Sequence, residues 1–489
     1  MKMKMKWSRI PLLLIVLTVH DGGAQTETQL QNESKQVAAA VLAGPSMEKL
    51  EELCDRFGAR LTGTAAHDRA AEWAAAQFRA VGIQDVKLEP ITVPNGWQRG
   101  WAESSMYSPV PRKLHLESVS WTPSTPPGGV KGEVVVVSDI SEAALRANAA
   151  AIKDRIVLVG TEHVFADGFN KVYPKLIASY SIFKALGAQA LVLPDAVPNN
   201  VLGDWLDIDN GKGEILPLPI AEIGLEDASL VRRLLAKGPV VIGFSYENRI
   251  SGPVSSNSVI AEIHGSDKRD EWIVVGAHLD SWDLATGAQD DGTGVIMVLE
   301  AARAIASLPH PPRQSIRFAL WTGEEPGLLG SRAYVQAHAK ELDHCVAVVN
   351  TDNGAGKPRG WIVEGREDMK AALADLVPIY LKGYGADQVS LETTFDTDQG
   401  PFMLHGIPAF DLWVDDVAYN AVHHKSSDTV DKVDPAYFKT DGAIVAVLAY
   451  VIAQQEQPIG PHLNHAAVDE ILKKAQLDGY LIAHGDWQP

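Results

Sequence analysis

Apolar residues recur along this chain with two different periods, and the switch between them divides it. Within 67–81, Ala71, Ala74, Phe78 and Val81 fall on one face at helical spacing, which predicts an amphipathic helix closed by Gly82. The stretch from Met47 has the same period. Residues 90–127 then turn rich in Pro, Gly, Ser and Trp, and read as turns and irregular chain. From there to about Gly252, short β-branched runs at 133–137, 155–159, 190–193 and 240–244 alternate with helical stretches at 141–151 and 181–186. This texture predicts a small α/β domain inserted into a larger one.

The larger part resumes near Ser258. Apolar runs at 272–276, 316–321 and 346–349 alternate with helical patterns at 293–305 and 331–338. That rhythm predicts an α/β fold: a mostly parallel, doubly wound sheet with helices on both faces. Ligands in such sheets bind beyond the carboxyl ends of the strands.

Composition narrows the function. The 489 residues exceed what one core usually serves. A net charge of −19 argues against nucleic acid, whose phosphates need Lys and Arg clusters. Residues 1–9 carry four cations, 10–19 are apolar, and small residues end at Ala24, the pattern of a cleaved signal peptide at 1–24. The apolar run is about half of the roughly 20 residues a spanning helix needs, so no stable membrane anchor is expected. The expected location is secreted or periplasmic, with 25–46 a polar, pro-like segment. The two cysteines, Cys54 and Cys345, lack metal-site spacing, and export permits a disulfide without requiring one.

The candidate chemistry follows the strands. The first run leads into Ala277-His278-Leu279-Asp280, the second into Thr322-Gly323-Glu324-Glu325, the third into Asn350-Thr351-Asp352. Asp290 and Asp291 precede a helix, and His423, His424 and Asp428 follow the apolar run at 408–413. Each piece alone has a plain structural meaning: a surface pair, a helix N-cap, a solvated loop. Together, five segments deliver imidazoles and carboxylates to one rim of one sheet, which points to a metal site. Such donors suit zinc. Two neighbouring metals need a bridging carboxylate, and Asp290 is suited to that. Asp280 is suited to accept the second ring N–H of a metal-bound His278. Of Glu324 and Glu325, one can bind metal while the other takes a proton from water.

At these residues the chain resembles the co-catalytic dizinc exopeptidases, and within them most the carboxypeptidase Q branch. The resemblance rests on 276–283 continuing to 287–292, on 320–325, on His423-His424 with Asp428-Thr429, and on 58–63 and 87–90. It implies two zinc ions: His278 and Asp352 on one, Glu325 and His424 on the other, Asp290 bridging. It makes Glu324 the general base and Asp280 the group that orients His278. His424 is preferred to His423 because it stands four residues before Asp428. The implied organisation is 47–115 and 253–460 as the peptidase, 116–252 as an inserted protease-associated-like domain, and 461–489 as a C-terminal tail. The implied substrates are short peptides, dipeptides above all, with a homodimer possible. The chain departs from that branch at 418–427, which bears on which peptide terminus is read. An aminopeptidase would need an acid for the free amine, and Asp396 and Asp398 are candidates. A non-catalytic binding protein on this scaffold would have lost donors, and none is missing.

Overall fold

Two eight-stranded sheets organise the computed structural model, which describes residues 27–160, 169–204 and 213–488. The expected leader at 1–24 lies outside these residues. In the first sheet, Gln314–Trp321, Lys268–His278, Cys345–Asn350 and Ala409–Val414 lie side by side and parallel. Both faces of these strands are buried. Ile273, Val275 and Ala277 enter one core while Trp272 and Val274 enter another, as period-2 side-chain alternation requires. Thr293–Ala306 and Pro435–Ala453 cover the first face, and Leu329–Ala337 covers the second. Pro435–Ala453 is long and apolar enough to cross a membrane, but here it is a core helix.

The sheet is mixed rather than mostly parallel throughout. Asp85–Val93 pairs antiparallel with Val254–Ile263, which pairs antiparallel with Gln314–Trp321, and Pro358–Ile362 runs against Ala409–Val414. The end of Asp85–Val93, from Pro90, falls inside the sequence read as irregular from 90 onward. Its Pro90 is tolerated because the strand is the sheet's edge.

The second sheet draws its strands from residues 102–246. Its centre, Val130–Val137, Ile156–Val159, Ala190–Pro194 and Ile220–Ile223, is parallel, with the helices Phe169–Ala185 and Leu225–Leu235 packed against it.

Two terminal segments differ from their sequence reading. Glu27–Leu42, expected as a loose polar stretch, is a helix that buries Val37, Ala38 and Val41 against Pro435–Ala453. Beyond residue 461, expected as a tail, His465–Ala475 and Asp478–His484 fold back and bury Leu472 and Leu481. Cys54 and Cys345 are both buried and free.

Candidate metal centre

The carboxyl ends of the parallel strands converge as expected. His278 is the last residue of its strand, Glu324 and Glu325 follow Trp321, and Asp352 follows Asn350. Asp290 comes from the turn before Thr293–Ala306, and His424 from the loop after Val417–Asn420. His278 Nε2 lies 3.0 Å from Asp290 Oδ1 and 3.3 Å from Asp352 Oδ1. His424 Nε2 lies 3.4 Å from Asp290 Oδ2 and 3.1 Å from Glu325 Oε2. The two oxygens of Asp290 thus face two different imidazoles. His423 Nε2 is 3.7 Å from Asp290 Oδ2 and is more exposed, at 39% against 23% for His424. Its ring stacks on Tyr419.

This geometry fits cations. Asp290 Oδ2 and Glu325 Oε2 are buried without a hydrogen-bond partner among the described residues. Beside them, a gap of about 10 Å³ is bordered by Asp290, Glu325, His424 and Trp282, which is room for one small ion or water. Burial pushes Glu324 and Glu325 far above the usual carboxylate range, and the crowded acids add to it, Asp352 for the first and Asp290 for the second. Burial also lowers His424 to about 4, so its ring is neutral and able to act as a ligand. His278 behaves oppositely: burial works to lower it, but Asp352, Glu324 and Asp290 outweigh that and hold it well above its ordinary value. A concentration of negative charge this dense and this buried calls for a positive partner.

The surroundings hold the donors in place. His278 Nδ1 is 3.0 Å from the backbone carbonyl of Asp280 and 3.8 Å from its carboxylate, so the carbonyl is the nearer acceptor. The Asp280 carboxylate instead accepts from Thr62 Oγ1 at 2.6 Å and from the Glu324 backbone N–H at 3.2 Å. Asp291 accepts from the backbone N–H groups of His278 and Gly294, the second of them in the first turn of the helix, consistent with a capping role. Asp428 accepts from the N–H groups of Gln289 and Asp290. Arg60, fully buried, donates to the carbonyls of Leu279, Thr286 and Gly287. The run at 58–63 was visible as a motif, but nothing in the sequence assigned Arg60 and Thr62 to the loop at 279–287.

A cavity of about 1,220 Å³ opens from the donors. Asp352, Glu324, Tyr419 and Asp396 line it, with Leu477 and Tyr480 from the C-terminal helices and Lys175 from Phe169–Ala185 of the second sheet. Asp398 is separate from Asp396: it is buried behind the wall, and burial raises it to about 8. Tyr419 and Lys175 escaped the sequence reading, because only the tertiary fold brings them to the site.

Comparison with known proteins agrees with this geometry. Residues 258–449 match the model of Peptidase family M28. Carboxypeptidase Q of Mus musculus is 28% identical over 413 residues, which are 84% of this chain and 86% of the relative. The crystal structure of a peptidase M28 precursor from Shewanella amazonensis superposes with a TM-score of 0.79 at 28% identity, covering 90% of this chain and all of the other. BSAP, a zinc aminopeptidase from Bacillus subtilis, shares the fold, with a TM-score of 0.62 at 22% identity over 82% of this chain and 93% of its own. By these likenesses and its donor-lined strand ends, the chain is similar to peptidase family M28 over residues 258–449 and is a metallo-exopeptidase.

Proposed function

We propose that this protein is an exported zinc exopeptidase that removes the C-terminal residue of short peptides, dipeptides best. The observation that carries the hydrolytic part is Glu324. Its carboxylate makes no hydrogen bond among the described residues, stands 3.9 Å from His278 Nε2 and opens onto the cavity. His278 and Asp352 would hold one zinc ion and His424 and Glu325 a second, with Asp290 between them. Zinc bound there supplies Lewis acidity toward the scissile carbonyl and the attacking water. Glu324 takes the proton of that water and delivers it to the leaving amine as the peptide C–N bond breaks. Asp280 keeps Glu324 in reach through its backbone N–H, and its carbonyl fixes the orientation of the His278 ring.

The preference for a free carboxylate rests on Lys175. Three cations line the cavity. Arg332 is engaged by Asp486 and the Gly327 carbonyl, and Lys425 by Asp195. Lys175 has no partner among the described residues and can receive a substrate carboxylate. Lys175 and residues 475–480 narrow the cavity around the donors, which favours short peptides over folded protein. An aminopeptidase is the second reading, supported by Asp396, which lines the same cavity and pairs with no cation among the described residues. Export rests on the basic, apolar and small-residue order of 1–24.

Blocked dipeptides decide between the termini. Cleavage should survive N-terminal acylation and fall sharply on C-terminal amidation; the reverse ranking would assign an aminopeptidase and transfer the anchoring role to Asp396.

A further inference from the structure

The loop that carries His424 is held at 424–426 from the second sheet, while Asp428 ties its far end to 286–290 of the first. Residues 202–204 follow the strand Ala190–Pro194 and lie against 424–426, with Gly203 and Lys425 forming an antiparallel bridge. The Asp204 N–H donates to the His424 carbonyl at 2.9 Å, and the Ser426 N–H donates to the Leu202 carbonyl at 2.7 Å. Lys425 Nζ reaches the buried Asp195 carboxylate at 2.8 Å. His424 itself sits at φ +57°, a left-handed conformation that a residue with a side chain adopts only when its surroundings impose it. Those bonds grip the chain at the strained residue and immediately after it.

The contacts continue around the site and close on themselves. Asp204 and Asp283 share Arg99, each at 2.6 Å from Nη2. Trp282, next to Asp283, donates its N–H to Glu325 Oε1 at 3.0 Å, and its ring meets the edge of His424. From His424 the ring therefore runs through Asp204, Arg99, Asp283 and Trp282 to Glu325, whose other oxygen faces His424 again. The backbones pass so closely that a Cβ on Gly203 would stand 2.5 Å from Lys425 Nζ and 2.9 Å from the His424 carbonyl oxygen. The His278 backbone, by contrast, is fixed by Asp291, and its ring by the Asp280 carbonyl, both within the first sheet.

We infer that the second sheet is a clamp on one half of the metal centre: Gly203, Asp195 and Lys425 are positioning residues that hold His424 toward Glu325. The inference rests on the donor assignment proposed above. Loosening the clamp weakens the metal position shared by His424 and Glu325 and spares the one shared by His278 and Asp352.

The test is metal affinity, read by titrating the metal-free full-length protein with Zn²⁺ in competition with a chromophoric chelator. Lys425→Met should raise one of two dissociation constants by about 10-fold or more, the usual effect of losing a group that orients a ligand, and leave the other within about 2-fold. Lys425→Arg should restore most of the loss, and Gly203→Ala should reproduce it by a different route should Lys425→Met fold poorly. In a His424→Ala background, Lys425→Met should change nothing further. Two unaltered constants, two equally weakened constants, or an Arg variant as weak as the Met variant would overturn the clamp alone. A His424→Ala protein that still binds two ions with native affinity would overturn the donor assignment, and the clamp with it.

Discussion

Both sheets end parallel strands in buried acids, and the two sets of acids keep different company. In the second sheet, Asp195 bonds to Lys425, to the Val197 N–H and to Glu222, which burial and that bond hold in its protonated range. Both of these acids are answered by protein groups. In the first sheet, Asp290 Oδ2 and Glu325 Oε2 have no hydrogen bond among the described residues, and the acids around them press on one another. A satisfied buried acid is architecture, whereas one left unsatisfied among others is waiting for something the chain does not itself contain.

Substitutions can break this contrast. The largest effect is expected at Asp290, whose two oxygens face both histidines: Asp290→Ala should remove both metals and all activity, measured by metal analysis of the purified protein. His278→Ala and His424→Ala should each mainly cost one ion. Retention of two ions in Asp290→Ala would mean that the unsatisfied oxygen is not a ligand. Next comes Glu324→Gln, which should lower kcat by about 10²–10⁴-fold with metal content intact. Loss of metal in that variant would exchange the roles of Glu324 and Glu325. Lys175→Met carries the comparison into the second sheet. It should raise KM for free dipeptides by about 10-fold, leave kcat nearly unchanged, and have no effect on C-terminally amidated substrates. A drop in kcat alone would exclude Lys175 as the anchor. The smallest effect on catalysis belongs to Asp291, which sits in the first sheet's site but is satisfied like an acid of the second. Asp291→Ala should keep both metals and lower stability by roughly 1–3 kcal/mol, seen as a fall in Tm.

What the sequence made legible follows from the same distinction. His278, Glu324, Glu325, Asp352 and His424 could be picked out because each ends or follows an apolar run, and Asp290 because it precedes a helix. The core strands were visible as β-branched runs for the same reason. Glu27–Leu42 was not, because its apolar stripe is thin: Leu30, Val37, Ala38 and Val41 lie among Gln, Glu and Ser. Ile220–Ile223 is too short to stand out in a Pro-rich stretch. His423 and His424 are adjacent, and in the sequence only the resemblance, through the spacing to Asp428, prefers His424; in the structure it is His424 Nε2 that lies 3.1 Å from Glu325 Oε2. Lys175, Tyr419 and Arg99 owe their positions to packing between distant segments, which periodicity does not report.

Arg60 has a further consequence, for the order in which the molecule folds. Its bond to the Leu279 carbonyl spans 219 residues of chain, and its bond to Gly287 spans 227. The short motif near the start and the long one after residue 276 are two halves of one lock, with almost the whole second sheet strung between them. Closing a loop that long before anything inside it is compact is entropically costly, whereas Ile156–Val159 pairs with Val130–Val137 and with Ala190–Pro194 over far shorter stretches of chain. The intervening sheet should therefore become compact first and shorten the effective separation, so that the donors around His278 come together late, as the last large piece of the native topology to close.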